Sequence, residues 1–504
     1  MRTLLQREDK HLEQIIKELV EQSNVRSNLS SLRKEIKDEA NKNHANDWLK
    51  NHAALVLGFL TNEDAKTRKN AALFLGDMKY QPAMEVLWES YQKERTLFVK
   101  SAYLTALANM DASSLVAQIK ERLIQLQGSE IAEEERKHIN EEIHALRAIV
   151  IQYEGITKHT FDSKGEEVNV LLITNRIHRE VIRRNIAGKA ELHPLGVLVS
   201  TKEVEKLWEN RAFREMVFPV LETGNYLPKN PIKAAEKLFA AGLLELLKNL
   251  HREHDPFYFR IECKSRMTLE ERSNFSKKMA EKLESISEDM LINSTSDYEI
   301  ELRLIENKEG EFFPCVKCNT IKDMRFSYRR NSIAASIHPS TAALLAELAK
   351  PYLKEDAQIM DPFCGVGTML IERNKLVPAR EMYATDIFGE AIEKGRENAA
   401  LAGARINFIH RDFFDFKHDY LFDEVITNMP VRGKRTREEM DVLYRDFFDK
   451  VLEIVQREAT IIMYTNEIGF VKKQIRLHSE YKLLQETCIQ SKTEFYLLII
   501  GVGK

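Results

Sequence analysis

The chain has 504 residues, 43% of them hydrophobic and 30% charged, with a formal net charge of −3 and five scattered cysteines. The length exceeds one ordinary core and predicts roughly two to four domains, while the near-neutral balance excludes a global polycation, so any grip on nucleic acid must come from local basic patches. No apolar run approaches the roughly 18 residues of a membrane span. The charged opening Met1–Lys10 leaves no room for a signal-peptide apolar region, and an odd number of dispersed cysteines suits a reducing compartment, so the expected location is the cytoplasm.

Residues 1–151 read as helix almost throughout, with almost no proline and no strand-like alternation. Asp64–Arg68 leads into Asn70–Gly76 and then Ala83–Leu87; about 31 residues later Thr96–Ala102 leads into Leu104–Ala108 and Leu115, and His52–Gly58 looks like a partial earlier copy. Small residues where helices approach and leucines where they fill space resemble HEAT-type repeats. Such a domain braces or binds, and a protein partner is one expected occupant. Gln127–Glu142, rich in Glu and Lys, reads as a solvated helix or linker.

Residues 152–330 change to mixed strand and helix. Val168–Thr174, Leu195–Ser200, Phe257–Glu262 and Tyr298–Leu304 read as strands. Thr268–Ser285 reads as a helix opened by a Thr268-Leu-Glu-Glu271 capping box. This α+β pattern resembles the THUMP module that precedes the catalytic domain in several RNA-modifying enzymes, which implies RNA binding. Basic residues gather at Arg176, Arg179, Arg183 and Arg184, and again at Lys317, Lys322, Arg325, Arg329 and Arg330. In the second cluster Phe326 and Tyr328 could stack on unpaired bases while the arginines hold phosphate. Cys315-Val-Lys-Cys318 has metal-ligand spacing, but no second pair accompanies it and no metal is expected.

Residues 331–504 alternate strand and helix as a doubly wound α/β sheet requires: Gln358–Asp361, Glu381–Asp386, Ile406–His410, Glu424–Thr427 and Thr460–Thr465 are strands. The chain closes with helix Phe470–Leu477 and two strands with no helix between them, Lys482–Gln490 and Glu494–Val502. That terminal hairpin resembles the Rossmann-like class I methyltransferases that use S-adenosylmethionine, and nicotinamide-binding domains lack it.

Ligands of such sheets bind beyond the carboxyl ends of the strands. Asp361, Phe363, Gly365, Gly367 and Thr368, in the turn Asp361-Pro-Phe-Cys-Gly-Val-Gly-Thr368, are expected at the methionine end of the cofactor, with backbone N–H groups facing its carboxylate. Asp386, with Ile387 beside it, is placed for the ribose hydroxyls, and Asp412 for the adenine amine with Phe413 against the base. Asn428-Met-Pro-Val431 is the expected catalytic segment. The Asn428 carboxamide and the Met429 carbonyl are acceptors that can hold the hydrogens of an exocyclic amine and aim its lone pair, and Pro430 stiffens the turn. Arg432, Lys434 and Arg435 form a basic loop for phosphates next to an extruded nucleotide.

Asn428-Met-Pro-Val431 resembles the Asn-Pro-Pro-aromatic signature of amino-methylating enzymes and the Asn-x-Pro form of THUMP-containing RNA guanine-N2 methyltransferases. Val431 departs from it, standing where the pattern has an aromatic for the flipped base. Ser327–Ala343 resembles the segment of the RNA methylase family that leads into the catalytic sheet; Pro339, Ser340 and Thr341 match its turn over the cofactor pocket, and His338 is expected to pack or cap. The resemblance implies a methyltransferase that uses S-adenosylmethionine and acts on a guanine N2 amine of tRNA. Its rivals are amino methylation of DNA or protein, and an inactive scaffold that retains the cofactor fold.

Overall fold

The computed structural model describes residues 2–503 apart from Gly128, Glu130, Ile131, Glu133, Lys164 and Asp255. The chain divides into two compact units, Met1–Thr157 and Lys158–Lys504. The second contains both of the regions that the sequence reading separated at residue 330.

The first unit is helical: α1 (Arg2–Val20), α2 (Val25–Glu35), α3 (Glu39–Gly58), α4 (Ala65–Asp77), α5 (Met84–Lys93), α6 (Leu97–Ala108), α7 (Val116–Gln127) and α8 (Arg136–Glu154). Asp38 and Asp64 start α3 and α4 by accepting backbone N–H bonds, which satisfies donors that a helix start leaves unpaired. Helices α2, α4, α6 and α8 pack each on the next. Gly76 of α4 permits this at its tightest point, because a Cβ there would lie 2.5 Å from Ala106 Cα of α6. Part of the Gln127–Glu142 stretch lies outside the described residues, and at its end the solvated reading fails. Glu142 is buried and accepts bonds from Tyr91 Oη at 2.5 Å and Arg122 Nη2 at 3.2 Å.

The second unit opens with β1 (Val168–Ile173), α9 (Arg179–Arg184), β2 (Lys189–His193), β3 (Gly196–Thr201), β4 (Glu215–Pro219), α10 (Pro231–Ala240), α11 (Leu243–Asn249), β5 (Phe257–Lys264), α12 (Leu269–Ile286), β6 (Leu291–Asn293), β7 (Ile300–Glu306) and β8 (Phe312–Cys318). The strands form a mixed sheet in the order β2-β3-β1-β4-β8-β7-β5-β6, in which β5 runs parallel to β6 and β7. Apolar residues of α10, α11 and α12 cover it, among them Leu238, Leu247 and Met279. The capping box at Thr268 and Glu271 is formed.

The remainder comprises α13 (Pro339–Ala349), β9 (Ala357–Asp361), α14 (Thr368–Leu376), β10 (Ala379–Asp386), α15 (Gly389–Ala402), β11 (Asn407–His410), β12 (Phe422–Asn428), α16 (Arg437–Ile454), β13 (Val455–Thr465), α17 (Ile468–Leu477), β14 (Tyr481–Gln490) and β15 (Phe495–Val502). The sheet order is β11-β10-β9-β12-β13-β15-β14. Five strands are parallel, and β15 enters antiparallel beside β13 to pair with β14. The order reverses between β9 and β12, and such a switch point opens a crevice at the strand carboxyl ends.

The two sheets of this unit are tied by buried polar bonds. Glu372 of α14 accepts Arg211 Nε and Nη2, each at 2.8 Å, and Tyr328 Oη at 2.6 Å. Arg325 donates to the carbonyls of Asn210 and Phe213 and pairs with Asp323. Both Arg325 and Tyr328 are buried. The expectation that they grip RNA is therefore corrected: their hydrogen-bonding capacity is spent inside the protein. Asn175 and His178 bind the carbonyls of Ile489 and Cys488 on β14, the edge strand. Among the described residues, no helix is long and apolar enough to cross a membrane.

Candidate active site at the strand carboxyl ends

Strand β9 ends at Asp361, and the chain must turn sharply to start α14 at Thr368. Gly365 (φ 51°) and Gly367 (φ 78°) take left-handed conformations in that turn, which glycine adopts without a Cβ penalty. Two bonds pin the turn to β10: the Cys364 N–H donates to the Thr385 carbonyl at 3.0 Å, and Thr385 Oγ1 donates to the Pro362 carbonyl at 2.9 Å. Asp386 completes the frame. Its two oxygens accept the N–H groups of Gly365 and Phe388, each at 2.9 Å.

A cavity of about 330 Å³ opens over this turn. It is lined by Asp361, Phe363, Gly365, Thr368, Asp386, Ile387, Asp412, Phe413, Asn428, Met429, Pro430, Val431 and Arg435. The turn after β9, the acids after β10 and β11, and the segment after β12 thus meet at one place. Asp412 also caps a short turn by accepting the Phe414 N–H. Beneath the cavity Phe363 lies 6.0 Å from Phe413 and 6.2 Å from Phe447, ring centre to ring centre, an apolar bed that resists deformation.

Other expected residues stand elsewhere. Gly367 sits under the turn, where an added Cβ would lie 2.8 Å from Phe408 Cζ. Ser340 and Thr341 are not among the lining residues, because the first turn of α13 closes on itself. His338 caps that helix and its Nδ1 lies 2.8 Å from Ser340 Oγ, and the Thr341 N–H donates to the His338 carbonyl. The wall is formed instead by Ile333, Ala335, Ser336 and Ile337, just upstream. Arg329 braces that wall through its Nη2 bond to the Ile337 carbonyl at 3.1 Å; Arg330, Arg432 and Lys434 are exposed outside the cavity. Phe388, Phe414 and Leu443 also line it and were not foreseen. The doubled apolar pairs Ile387-Phe388 and Phe413-Phe414, each straight after an acid, were the available signal.

Burial dominates the electrostatics of the site. Burial pushes the Asp361 carboxyl up to about 8, and the nearby charge of Asp386 adds to this. The same burial, with Asp361 and Asp386 close by, raises the Cys364 thiol well above its ordinary value, which removes it as a thiolate nucleophile. An incoming ammonium would relieve Asp361, and the glycine turn leaves room for backbone to approach a bound carboxylate. The residues therefore fit an amino-acid-bearing cofactor. Cys315 and Cys318, three apart on β8, belong to opposite sheet faces and separate apolar clusters, so they cannot share an ion.

Residues 327–493 match the family described as RMKL-like, methyltransferase domain. That match assigns a methyltransferase domain to this part of the chain. The chain is similar to the tRNA (guanine(10)-N2)-dimethyltransferase of Methanothermobacter thermautotrophicus, at 32% identity over 155 residues, 29% of this chain and 45% of that one. It is also similar to the ribosomal protein L11 methyltransferase of Thermotoga petrophila, at 27% identity over 183 residues, 34% of this chain and 68% of that one. The chain spans 20% and 45% of the length of the first curated relatives it matches. In fold it resembles TrmN from Thermus thermophilus, with a TM-score of 0.50 and 18% identity, covering 67% of this chain and all of that one.

Proposed function

We propose that the chain methylates RNA, transferring a methyl group to the exocyclic N2 amine of a guanine in tRNA. The observation that carries this reading is that Asn428, Met429 and Pro430 line the same cavity as the glycine turn and Asp386. The similarity to a relative named for tRNA guanine-N2 methylation supports it.

S-adenosylmethionine, when bound, supplies an electrophilic methyl group on a sulfonium. Asp361 would take the amino end of that molecule, the start of α14 its carboxylate, Asp386 its ribose and Asp412 its adenine, with Phe413 and Ile387 packing the base. The Asn428 carboxamide oxygen and the Met429 carbonyl accept the hydrogens of the target amine and so point its lone pair inward. No side chain need act as a strong base, because the proton leaves once the nitrogen is quaternary. Arg435, with Arg432 and Lys434 outside the cavity, holds phosphate next to the target nucleotide. The mixed sheet of the second unit supports a THUMP-like role for residues 152–330, and the successive packing of α2, α4, α6 and α8 supports a HEAT-like repeat.

The rival reading, methylation of a protein amine, draws on the similarity to the ribosomal protein L11 enzyme. Nucleoside analysis of RNA from cells with and without the protein separates the two. Loss of N2-methylguanosine from one RNA class is expected; unchanged levels in every class overturn the proposal. In vitro, Asn428→Ala should lower kcat by about 100-fold, with a much smaller change in cofactor affinity by calorimetry.

A further inference from the structure

A second basic feature lies within the helical unit, where α2 and α4 border a groove of about 920 Å³. Arg26, Lys34, Lys66 and Lys69 line it, and no carboxylate does. Among the described residues none of these four cations has an ion-pair partner; the neighbouring Arg33 and Arg68 are neutralised by Asp77 and Glu94. The carboxylate nearest these cations, Asp64 at the N-cap of α4, accepts the N–H groups of Lys66 and Thr67 and the Thr67 hydroxyl; it also feels the charge of Arg26, but it does not line the groove. Polar groups without charge complete the lining, notably Ser27, Ser30 and Ser31. The half-buried ring of Phe98 forms one edge, with Lys69 Nζ 5.9 Å from its centre.

The spacing is that of a backbone track. Arg26 and Lys34 lie eight positions apart on α2, about 12 Å along the axis, and Lys66 and Lys69 are one turn apart on α4. The start of α2 at Val25 borders the groove, and a helix start adds positive potential. A mobile acidic peptide would need carboxylates at this spacing, whereas a nucleic-acid strand carries regular charge and the groove offers hydroxyl and amide donors for phosphate oxygens. We propose that this groove binds the phosphodiester backbone of RNA, independently of the methyl-transfer cavity. It is a second contact for the substrate rather than part of the catalytic centre.

The test is fluorescence anisotropy of the full-length protein with labelled unfractionated tRNA, across a salt series. Replacing Arg26, Lys34, Lys66 and Lys69 together by Gln should weaken binding about tenfold or more at 100 mM salt and flatten the log K against log salt slope by up to about 3. A charge-matched control, with Lys37, Lys50, Lys93 and Arg95 changed to Gln, should leave both within twofold, and circular dichroism checks that both variants are folded. Equal affinity and slope for the groove variant and the control overturn the proposal. So does polyglutamate that displaces tRNA as well as unlabelled tRNA does. The measurement needs no methyl transfer, so it stands even if the acceptor proposed above is wrong.

Discussion

At the residue scale the cavity is governed by Asp361. Its raised pKa means that the folded protein keeps a proton which the unfolded chain gives up near pH 4. Stability from this group is therefore lost as pH rises from about 4 to 8. A cationic amino group reverses that preference, so cofactor binding near pH 7 should release a proton. Calorimetry in buffers of different ionisation enthalpy should show a release approaching one proton at pH 7, shrinking above pH 8, and absent in Asp361→Asn. Glycines of the turn separate in the same way. Gly365→Ala meets only Ile333 Cδ1 at 3.7 Å, and its strain is that of a left-handed alanine, about 1 kcal/mol. Gly367→Ala adds a clash with Phe408 and should cost about 1–3 kcal/mol, visible as a lower urea midpoint. That Asp361, Asp386, Asp412 and Asn428 meet at one cavity was legible in sequence because each ends or closely follows an expected strand. The burial of Arg325 and Tyr328 was not, since nothing local discloses that Asn210, Phe213 and Glu372 would claim them.

At the element scale the parallel strands β9 to β13 announce themselves by their alternation with helices, and the terminal hairpin as two strands without a helix between. Strand β8 hid for a physical reason. Pro314 argues against an interior strand, yet β8 lies between β4 and β7, and the Cys-x-x-Cys spacing drew attention to metal chemistry instead. Strand β2 is short and mostly exposed, so it lacks alternation. At the opposite end of β12 from the cavity, Glu424 receives Arg373 of α14 at 2.7 Å, both fully buried, and Arg373 also reaches the Lys354 carbonyl at 2.6 Å. Removing one partner leaves an uncompensated charge. Glu424→Ala should cost about 3–5 kcal/mol in urea unfolding, and Arg373→Met on that background should restore much of it.

At the scale of the whole molecule, the first unit and the Lys158–Lys504 unit enclose separate apolar cores. Calorimetry should therefore resolve two transitions. S-adenosylmethionine at a hundred times its Kd should stabilise only the one belonging to the second unit, by about 2.7 kcal/mol; an equal shift of both would count against this division. Composition and periodicity mark the change from helix to mixed structure near residue 151, close to the boundary of the two units, but not the buried join between the two sheets of the second unit. Glu372 sits on the helix that follows the glycine turn, clasped by Arg211 and Tyr328. That clasp limits the freedom of the molecule in a particular way. The lobe carrying the mixed sheet is fastened at this seam to the helix that leaves the glycine turn, so the two sheets stand beneath the cavity as one anvil.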